Sequence, residues 1–351
     1  MTAPEYRTRI ALLKKELARR GLDSLLVTDG TNVSYLSGFT GHDSMLLVTL
    51  GHNYFITDSR YIEEARESIR HFDIRLVESS SYDTISGIVK RARLKKVGFE
   101  SMDLPWAVAG RLRKSLKDAA LAGQKDIVED LRAVKDSGEI ALIRNSIRCT
   151  RKVLDELSGM ARPGTSEKAL AKRCEIAFIQ AGAKAAFEPI VATGQNASRP
   201  HSRPTDTAIK RDGFVMFDIG CSLQGYCSDM TRMVTLGSVK EKFRKMYSTV
   251  RAAQEIAIGK VGPGARASDV DGAARSLIER HGFGKYFGHS VGHGVGMKVH
   301  EGPTISRISR TRLEPGMVFT VEPAIYVPKF GGVRIEDMVL VTDRGCEVLT
   351  R

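Results

Sequence analysis

Cysteine is scarce and poorly placed for cross-linking. The chain has five (Cys149, Cys174, Cys221, Cys227 and Cys346), an odd number with no C-x-x-C pair. That pattern argues against a disulfide framework and against a zinc knuckle, and leaves buried free thiols of a reducing compartment as the expectation. Long apolar runs are also missing. No stretch approaches the ~20 residues needed to cross a bilayer, so no membrane partner is expected. The opening "MTAPEYRTRIALLKKELARRG" spreads its charges over an amphipathic pattern, unlike a secretion signal. A cytoplasmic location is therefore expected. Basic residues outnumber acidic ones, 54 to 41, for a formal charge of +13. Yet they are dispersed among acids, and no basic block rich in aromatics stands out. Solvated surface charge is the expected reading, ahead of nucleic-acid binding.

What is present favours two domains, because 351 residues exceed what one hydrophobic core usually spans. The first third alternates helical patterns ("RTRIALLKKELARRG", "YIEEARESIR", "YDTISGIVKRA", "LPWAVAGRLRKSL") with short apolar runs ("SLLVT", "SMLLVTL", "NYFIT", "DIRLV", "KKVGF"). This is a mixed α/β unit complete by about residue 125. A long helical pattern follows, with Asp136 or Ser137 as its N-cap, then a second closed by Gly182. Strand-like segments, two more helices and further strands complete an α/β (α+β) chain with expected domains 1–128 and 129–351.

Chemistry concentrates in the second part. "GHSVGHGVGMKVHE" places His289, His293 and His300 within fourteen residues, though the whole chain has eight histidines. Glycines on both sides of His293 imply backbone packed closely around it. In "FVMFDIGCSLQGYCSDMTRMV" a turn between Leu223 and Gln224 would set Asp218 opposite Asp229. In "FTVEPAIYVPKFGGVRIEDMVLV" folding about Lys329 sets Glu322 opposite Glu336. Like charges facing each other on one ribbon destabilise it unless a cation lies between them. Four carboxylates and an imidazole, without thiolate, suit hard or borderline divalent ions such as Mn²⁺, Co²⁺ or Zn²⁺ and argue against a structural zinc site. Four negative charges exceed what one ion needs, which points to two. Spacing alone does not say which of the three histidines is the ligand.

These residues resemble the pita-bread metallopeptidases, a family that includes methionine aminopeptidase, aminopeptidase P and prolidase. The matching motifs are "FEPIVATGQNASRPHSRPT", "FDIGCSLQGYCSDMTR", "HSVGHGVGMKVHE", "LEPGMVFTVEP" and "GGVRIEDMVLV", in the family's order over about residues 187 to 341. The resemblance implies a curved antiparallel sheet with flanking helices in the catalytic domain, preceded by a creatinase-like α/β domain. It implies that Asp218, Asp229, His293, Glu322 and Glu336 hold two divalent ions, most plausibly Mn²⁺, with Asp229 and Glu336 bridging. His201, His289 and His300 would surround the substrate, and Arg334 would orient the bridging carboxylates. "NVSYLSGFTGHDSMLLVT" and "FITDSRYIEEA" resemble the first domain of aminopeptidase P and its bacterial relatives. Two departures stand out: Arg199 before Pro200-His201, expected to alter what the substrate pocket accepts, and the order Asp212-Gly213.

The implied reaction is hydrolysis of an N-terminal Xaa-Pro bond by a hydroxide shared between the ions, with Glu322 relaying the proton. Peptides with proline at the second position are the expected substrates, and a homodimer the expected assembly. Prolidase, which cleaves only Xaa-Pro dipeptides, is the alternative; it needs a cation for the proline carboxylate, for which Arg307, Arg310 and Arg312 are candidates. An alternative of another class is a non-catalytic protein- or nucleic-acid-binding module, disfavoured because all five ligand positions are filled.

Overall fold

The structure, a computed structural model, describes residues 3–351, with side chains from Tyr6 onward. Backbone contacts divide the chain into two compact units, Met1–Arg132 and Ala133–Arg351.

In chain order the first unit contains α1 (Ala3–Arg19), β1 (Ser24–Val27), α2 (Gly30–Ser37), β2 (Met45–Thr49), β3 (Asn53–Thr57), α3 (Ile62–Ser68) and β4 (Asp73–Leu76). Next come α4 (Ser81–Arg91), β5 (Lys96–Glu100), α5 (Trp106–Ser115) and β6 (Ala120–Gln124), with α6 (Glu129–Ala133) following. The strands form one mixed sheet in the order β4-β3-β2-β1-β5-β6. The central strand β1 is buried at all four positions, which is why it reads as an unbroken apolar run rather than an alternation. Leu26, Leu47, Ile56, Val97 and Phe99 of the sheet pack with Ile85, Ile88 and Leu112 of α4 and α5. Two elements went unread in the sequence, α2 and β6. Helix α2 does carry end signals: the Asp29 side chain accepts from the Thr31 and Asn32 N–H groups, and Gly38 follows at φ 80°.

The second unit begins with α7 (Ser137–Met160), whose N-cap Asp136 forms a capping box with Glu139. Helix α8 (Glu167–Gln180) follows, with Gly182 at φ 71° just beyond its end. The remainder is β7 (Lys184–Ala185), β8 (Ile190–Thr193), β9 (Gly213–Ile219), β10 (Cys221–Leu223), β11 (Tyr226–Cys227), β12 (Met230–Leu236), α9 (Glu241–Ile258) and α10 (Ala267–Arg280). The last third adds β13 (Gly292–Gly294), β14 (Glu301–Ile305), β15 (Val318–Val321), β16 (Ala324–Val327), β17 (Gly331–Arg334), β18 (Asp337–Thr342) and β19 (Gly345–Val348). All pairings are antiparallel, in sheets β12-β9-β8, β14-β13-β15-β18-β19, β16-β17 and β11-β10-β7.

Successive residues of these strands feed two cores, as the two-residue period of a strand requires. Phe214 and Met216, Phe319, and Val339 pack with α9 and α10. Val215 and Phe217, Val318, and Met338 pack with α7 and α8. Sheets sandwiched between two helix pairs explain why "GFVMFDI" is apolar at nearly every position. Four of the five cysteines lie in the buried core of this unit, and all five are free thiols, with Cys346 half-buried. No helix among the described residues is long and apolar enough to cross a membrane.

Candidate metal centre

Three of the five expected ligands, Asp229, Glu322 and Glu336, sit where the strands change sheets, and Asp218 and His293 lie within strands. Asp218 is near the end of β9, and Asp229 lies between β11 and β12. Glu322 separates β15 from β16, Glu336 separates β17 from β18, and His293 is the middle residue of β13. At such breaks the backbone leaves one ladder for another, and a side chain can point into the gap.

The Glu322–Glu336 ribbon has the register that a turn about Lys329 requires. Ala324 faces Arg334 on one side of the pair, and Val321 faces Asp337 on the other. The Asp218–Asp229 ribbon differs from the expected one. Asp218 pairs with Thr231, because the turn is centred one residue further along, on Gln224 and Gly225, both at positive φ. Asp229 is therefore two residues from the position opposite Asp218 and stays on the same face. Glycine next to His293 is a packing requirement. A Cβ on Gly292 would lie 1.8 Å from the Thr320 carbonyl oxygen, and one on Gly294 would lie 1.9 Å from that of Gly302.

The donors converge. His293 Nε2 is 3.6 Å from Asp229 Oδ2 and 3.3 Å from Glu322 Oε1. One donor atom from each of Asp229, His293 and Glu336 lies within 4.8 Å of the others. His293 Nδ1 sits 3.2 Å from the Gly294 carbonyl oxygen, which only accepts, so this nitrogen carries a proton, and Nε2 faces the acids. Asp218 gives Oδ2 to the Arg334 guanidinium, while its buried Oδ1 has no hydrogen-bond partner.

Electrostatics point the same way. Burial, then neighbouring Glu336 and Asp218, push the Asp229 carboxyl well above the usual range. Burial, followed by Glu322 and Asp218, does the same to Glu336. Burial also raises Asp218 against the pull of Arg334. Burial works against ionised Glu322 too, but the hydrogen bond and charge of His293 outweigh it and hold this carboxyl low. Three buried acids and the half-buried Glu322 facing one guanidinium leave a deficit of positive charge, and a buried oxygen lacks any donor. Both features fit divalent cations, and the donor set of carboxylates and imidazole matches them.

Outer groups fix the donors. Thr231 Oγ1 donates to Glu336 Oε2 at 2.6 Å and accepts from Arg334 Nε at 3.1 Å. Thr320 Oγ1 accepts from the His293 N–H at 3.1 Å and donates to Glu322 Oε1 at 3.2 Å. Arg334 thus touches Asp218 directly and reaches Glu336 only through Thr231. Its third contact, to the Tyr326 hydroxyl, continues to His289 Nε2, 3.3 Å from that hydroxyl. Neither threonine nor the tyrosine was singled out from sequence, although Thr231 stands directly opposite Asp218 and Tyr326 lies four residues past Glu322.

The five expected ligands, Arg334 and Tyr326 line one cavity of about 1140 Å³, together with His201, His289 and His300. The His300 ring centroid lies 4.2 Å from that of His293. Next to it, Glu301 forms a buried 2.8 Å ion pair with Lys135. Phe187, Pro189, Pro200, Pro204, Tyr286 and Pro328 supply an apolar wall. Arg307, Arg310 and Arg312 do not line the cavity; Arg312 instead donates to the Gly264 carbonyl. Arg199 also stays out of the lining and donates to Asn196 Oδ1. The cations facing the cavity are Arg203, Lys285 and the engaged Arg334.

Comparison with known proteins agrees. The model of metallopeptidase family M24 matches residues 141–343. This chain belongs to that family. The creatinase/prolidase N-terminal domain matches residues 9–134. An Xaa-Pro dipeptidase from Pyrococcus horikoshii is 33% identical over 95% of this chain and 94% of its own length. Among solved structures, an Xaa-Pro dipeptidase from Bacillus anthracis superposes with a TM-score of 0.95 at 33% identity, covering 99% of this chain and 98% of that one. An X-Pro aminopeptidase from Thermotoga maritima gives 0.88 at 33% identity, covering 96% and 97%. As a member of metallopeptidase family M24 the chain is a peptidase hydrolase, and the family implies divalent metal.

Proposed function

We propose that this M24 peptidase hydrolyses the Xaa-Pro bond of dipeptides with two divalent ions, Mn²⁺ first among them, held by Asp218, Asp229, His293, Glu322 and Glu336. The observation that carries this reading is the convergence of four acids, three of them buried, on one imidazole inside a cavity, with Asp218 Oδ1 lacking any donor. When bound, such a pair of ions activates water and polarises the scissile carbonyl. Glu322 is placed to take the proton of the attacking water and pass it to the leaving proline nitrogen. His300 and His201, at the cavity surface, donate to the developing oxyanion. Burial above all lowers the pKa of His289, which lies on the cavity wall beside Tyr326. The proline nitrogen carries no hydrogen for a peptidase to hold, so the ring itself is recognised, and the apolar wall suits it.

The sequence placed N-terminal cleavage of longer peptides ahead of dipeptide cleavage. The names of the relatives from Pyrococcus horikoshii and Bacillus anthracis favour the reverse order. Arg203 and Lys285 on the cavity wall supply cations for a free proline carboxylate. The aminopeptidase reading keeps the support of the Thermotoga maritima neighbour. Kinetics on matched Xaa-Pro and Xaa-Pro-Yaa peptides with added Mn²⁺ decide between them. The dipeptide reading expects a higher kcat/KM for Xaa-Pro, and equal or better use of the longer peptide would reverse the order. A cytoplasmic location, supported by the free thiols, and a homodimer, tested by sedimentation, complete the proposal.

A further inference from the structure

We propose that Asp271 and Arg275 on α10 form a positioning device for His289, an inference that rests on the peptidase reading of the cavity. The two residues are four apart on the helix and almost fully buried, and they meet through two parallel hydrogen bonds: Arg275 Nε to Asp271 Oδ2 and Arg275 Nη2 to Asp271 Oδ1, both 2.8 Å. What distinguishes them from an ordinary buried ion pair is where the remaining groups point. Arg275 Nη1 donates to the Phe287 carbonyl at 3.1 Å, and Nη2 donates to the His289 carbonyl at 2.8 Å. Asp271 Oδ1 accepts from the Val291 N–H at 3.2 Å. One planar fork and its carboxylate therefore hold three alternate residues, 287, 289 and 291, of the bent segment that leads into β13 and itself belongs to no sheet.

Side chains complete the clamp. The Arg275 guanidinium lies 4.3 Å from the centroid of the Phe287 ring, whose edge meets the His289 ring at 5.1 Å. On the far side of the segment, the Val291 carbonyl accepts from the Glu322 N–H at 2.7 Å. The device thus fixes the cavity histidine and the backbone of an expected ligand in one register. A buried ion pair seldom stabilises a fold more than apolar residues of similar volume would. An apolar pair here would leave the carbonyls of Phe287 and His289 without these donors and His289 free to drift. Lysine keeps the charge but not the fork.

The experiment is a double-mutant cycle on the Mn²⁺-loaded protein, with kcat/KM for an Xaa-Pro dipeptide measured for wild type, Arg275→Lys, His289→Ala and the double variant. Arg275→Lys is expected to lose about tenfold to a hundredfold, the scale of a ~1 Å misplacement near the chemistry. Added to His289→Ala, it is expected to cost less than about twofold more, because both changes remove the same function. Losses that multiply, or an Arg275→Lys protein at the wild-type rate, would overturn the proposal. Should Arg275→Lys not fold, Asp271→Asn, which keeps an oxygen for the Val291 N–H, takes its place in the cycle. Imidazole ¹⁵N spectra with Zn²⁺ added give a readout independent of turnover. The His289 signals should shift in Arg275→Lys while those of the surface histidine His281 stay; unmoved His289 signals would refute the device. If wild type fails to cleave Xaa-Pro at all, the peptidase reading fails, and the spectra still decide this one.

Discussion

Each of the two units buries carboxylates, and the contrast between them is instructive. In the first unit Glu100 accepts from the Thr28 and Asp29 N–H groups at 2.6 and 2.8 Å through one oxygen, and from Asn32 Nδ2 at 2.7 Å through the other. Burial raises its pKa to about 7, yet both oxygens have neutral donors and nothing is missing. In the second unit Asp218, Asp229, Glu322 and Glu336 share the single guanidinium of Arg334, and one Asp218 oxygen has no donor. Burial raises acid pKa values in both places. Only the second arrangement crowds four acids together and leaves a buried carboxylate oxygen without a donor, and that shortage of donors, not burial, marks a cation site.

The sharpest way to break this contrast is to remove an acid from the second group. Asp229→Ala is expected to lower kcat/KM for Xaa-Pro by more than about a hundredfold, beyond the usual cost of losing an outer partner of a metal ligand. Retained turnover would erase the distinction. Thr231→Val leaves every ligand but cuts the link from Arg334 to Glu336. It should cost about ten- to a hundredfold in metal affinity or activity, read by metal titration and kinetics.

Adding Mn²⁺ to stripped protein should stabilise it by about 3 kcal/mol at a hundred times Kd, seen as a rise in Tm. The gain should grow with pH. In metal-free protein the raised carboxyls of Asp229 and Glu336 favour folding only while protonated, so their contribution is full below the unfolded value near 4 and lost as pH rises through the folded values. The smallest effect belongs to the first unit. The raised pKa of Glu100 likewise contributes stability below pH 4.5 that is lost by about pH 7, at most about 3 kcal/mol. Glu100→Gln should flatten that part of the pH–Tm curve in metal-loaded protein and leave Mn²⁺ binding unchanged.

Much of this was legible in the sequence because strand registers follow from turns. The ribbon around Lys329 is symmetric, so simple folding pairs Glu322 with Glu336. The other ribbon misled by one turn position, since Gln224 takes a positive φ that favours Gly, Asn or Asp. The close glycines beside His293 were readable as packing. Helix α2 and the cluster of Thr231, Tyr326, Asp271 and Arg275 were not, because their meaning lies in contacts between residues far apart in the chain. Arg307, Arg310 and Arg312 show the converse: proximity in sequence to the ligand strand did not bring them to the cavity.

The most direct measurement is metal stoichiometry by equilibrium dialysis against Mn²⁺ followed by elemental analysis. Two ions per chain in wild type, and fewer than two in Asp229→Asn, are the predicted results. A wild-type chain that retains none, or an Asp229→Asn chain that still holds two, would contradict the account.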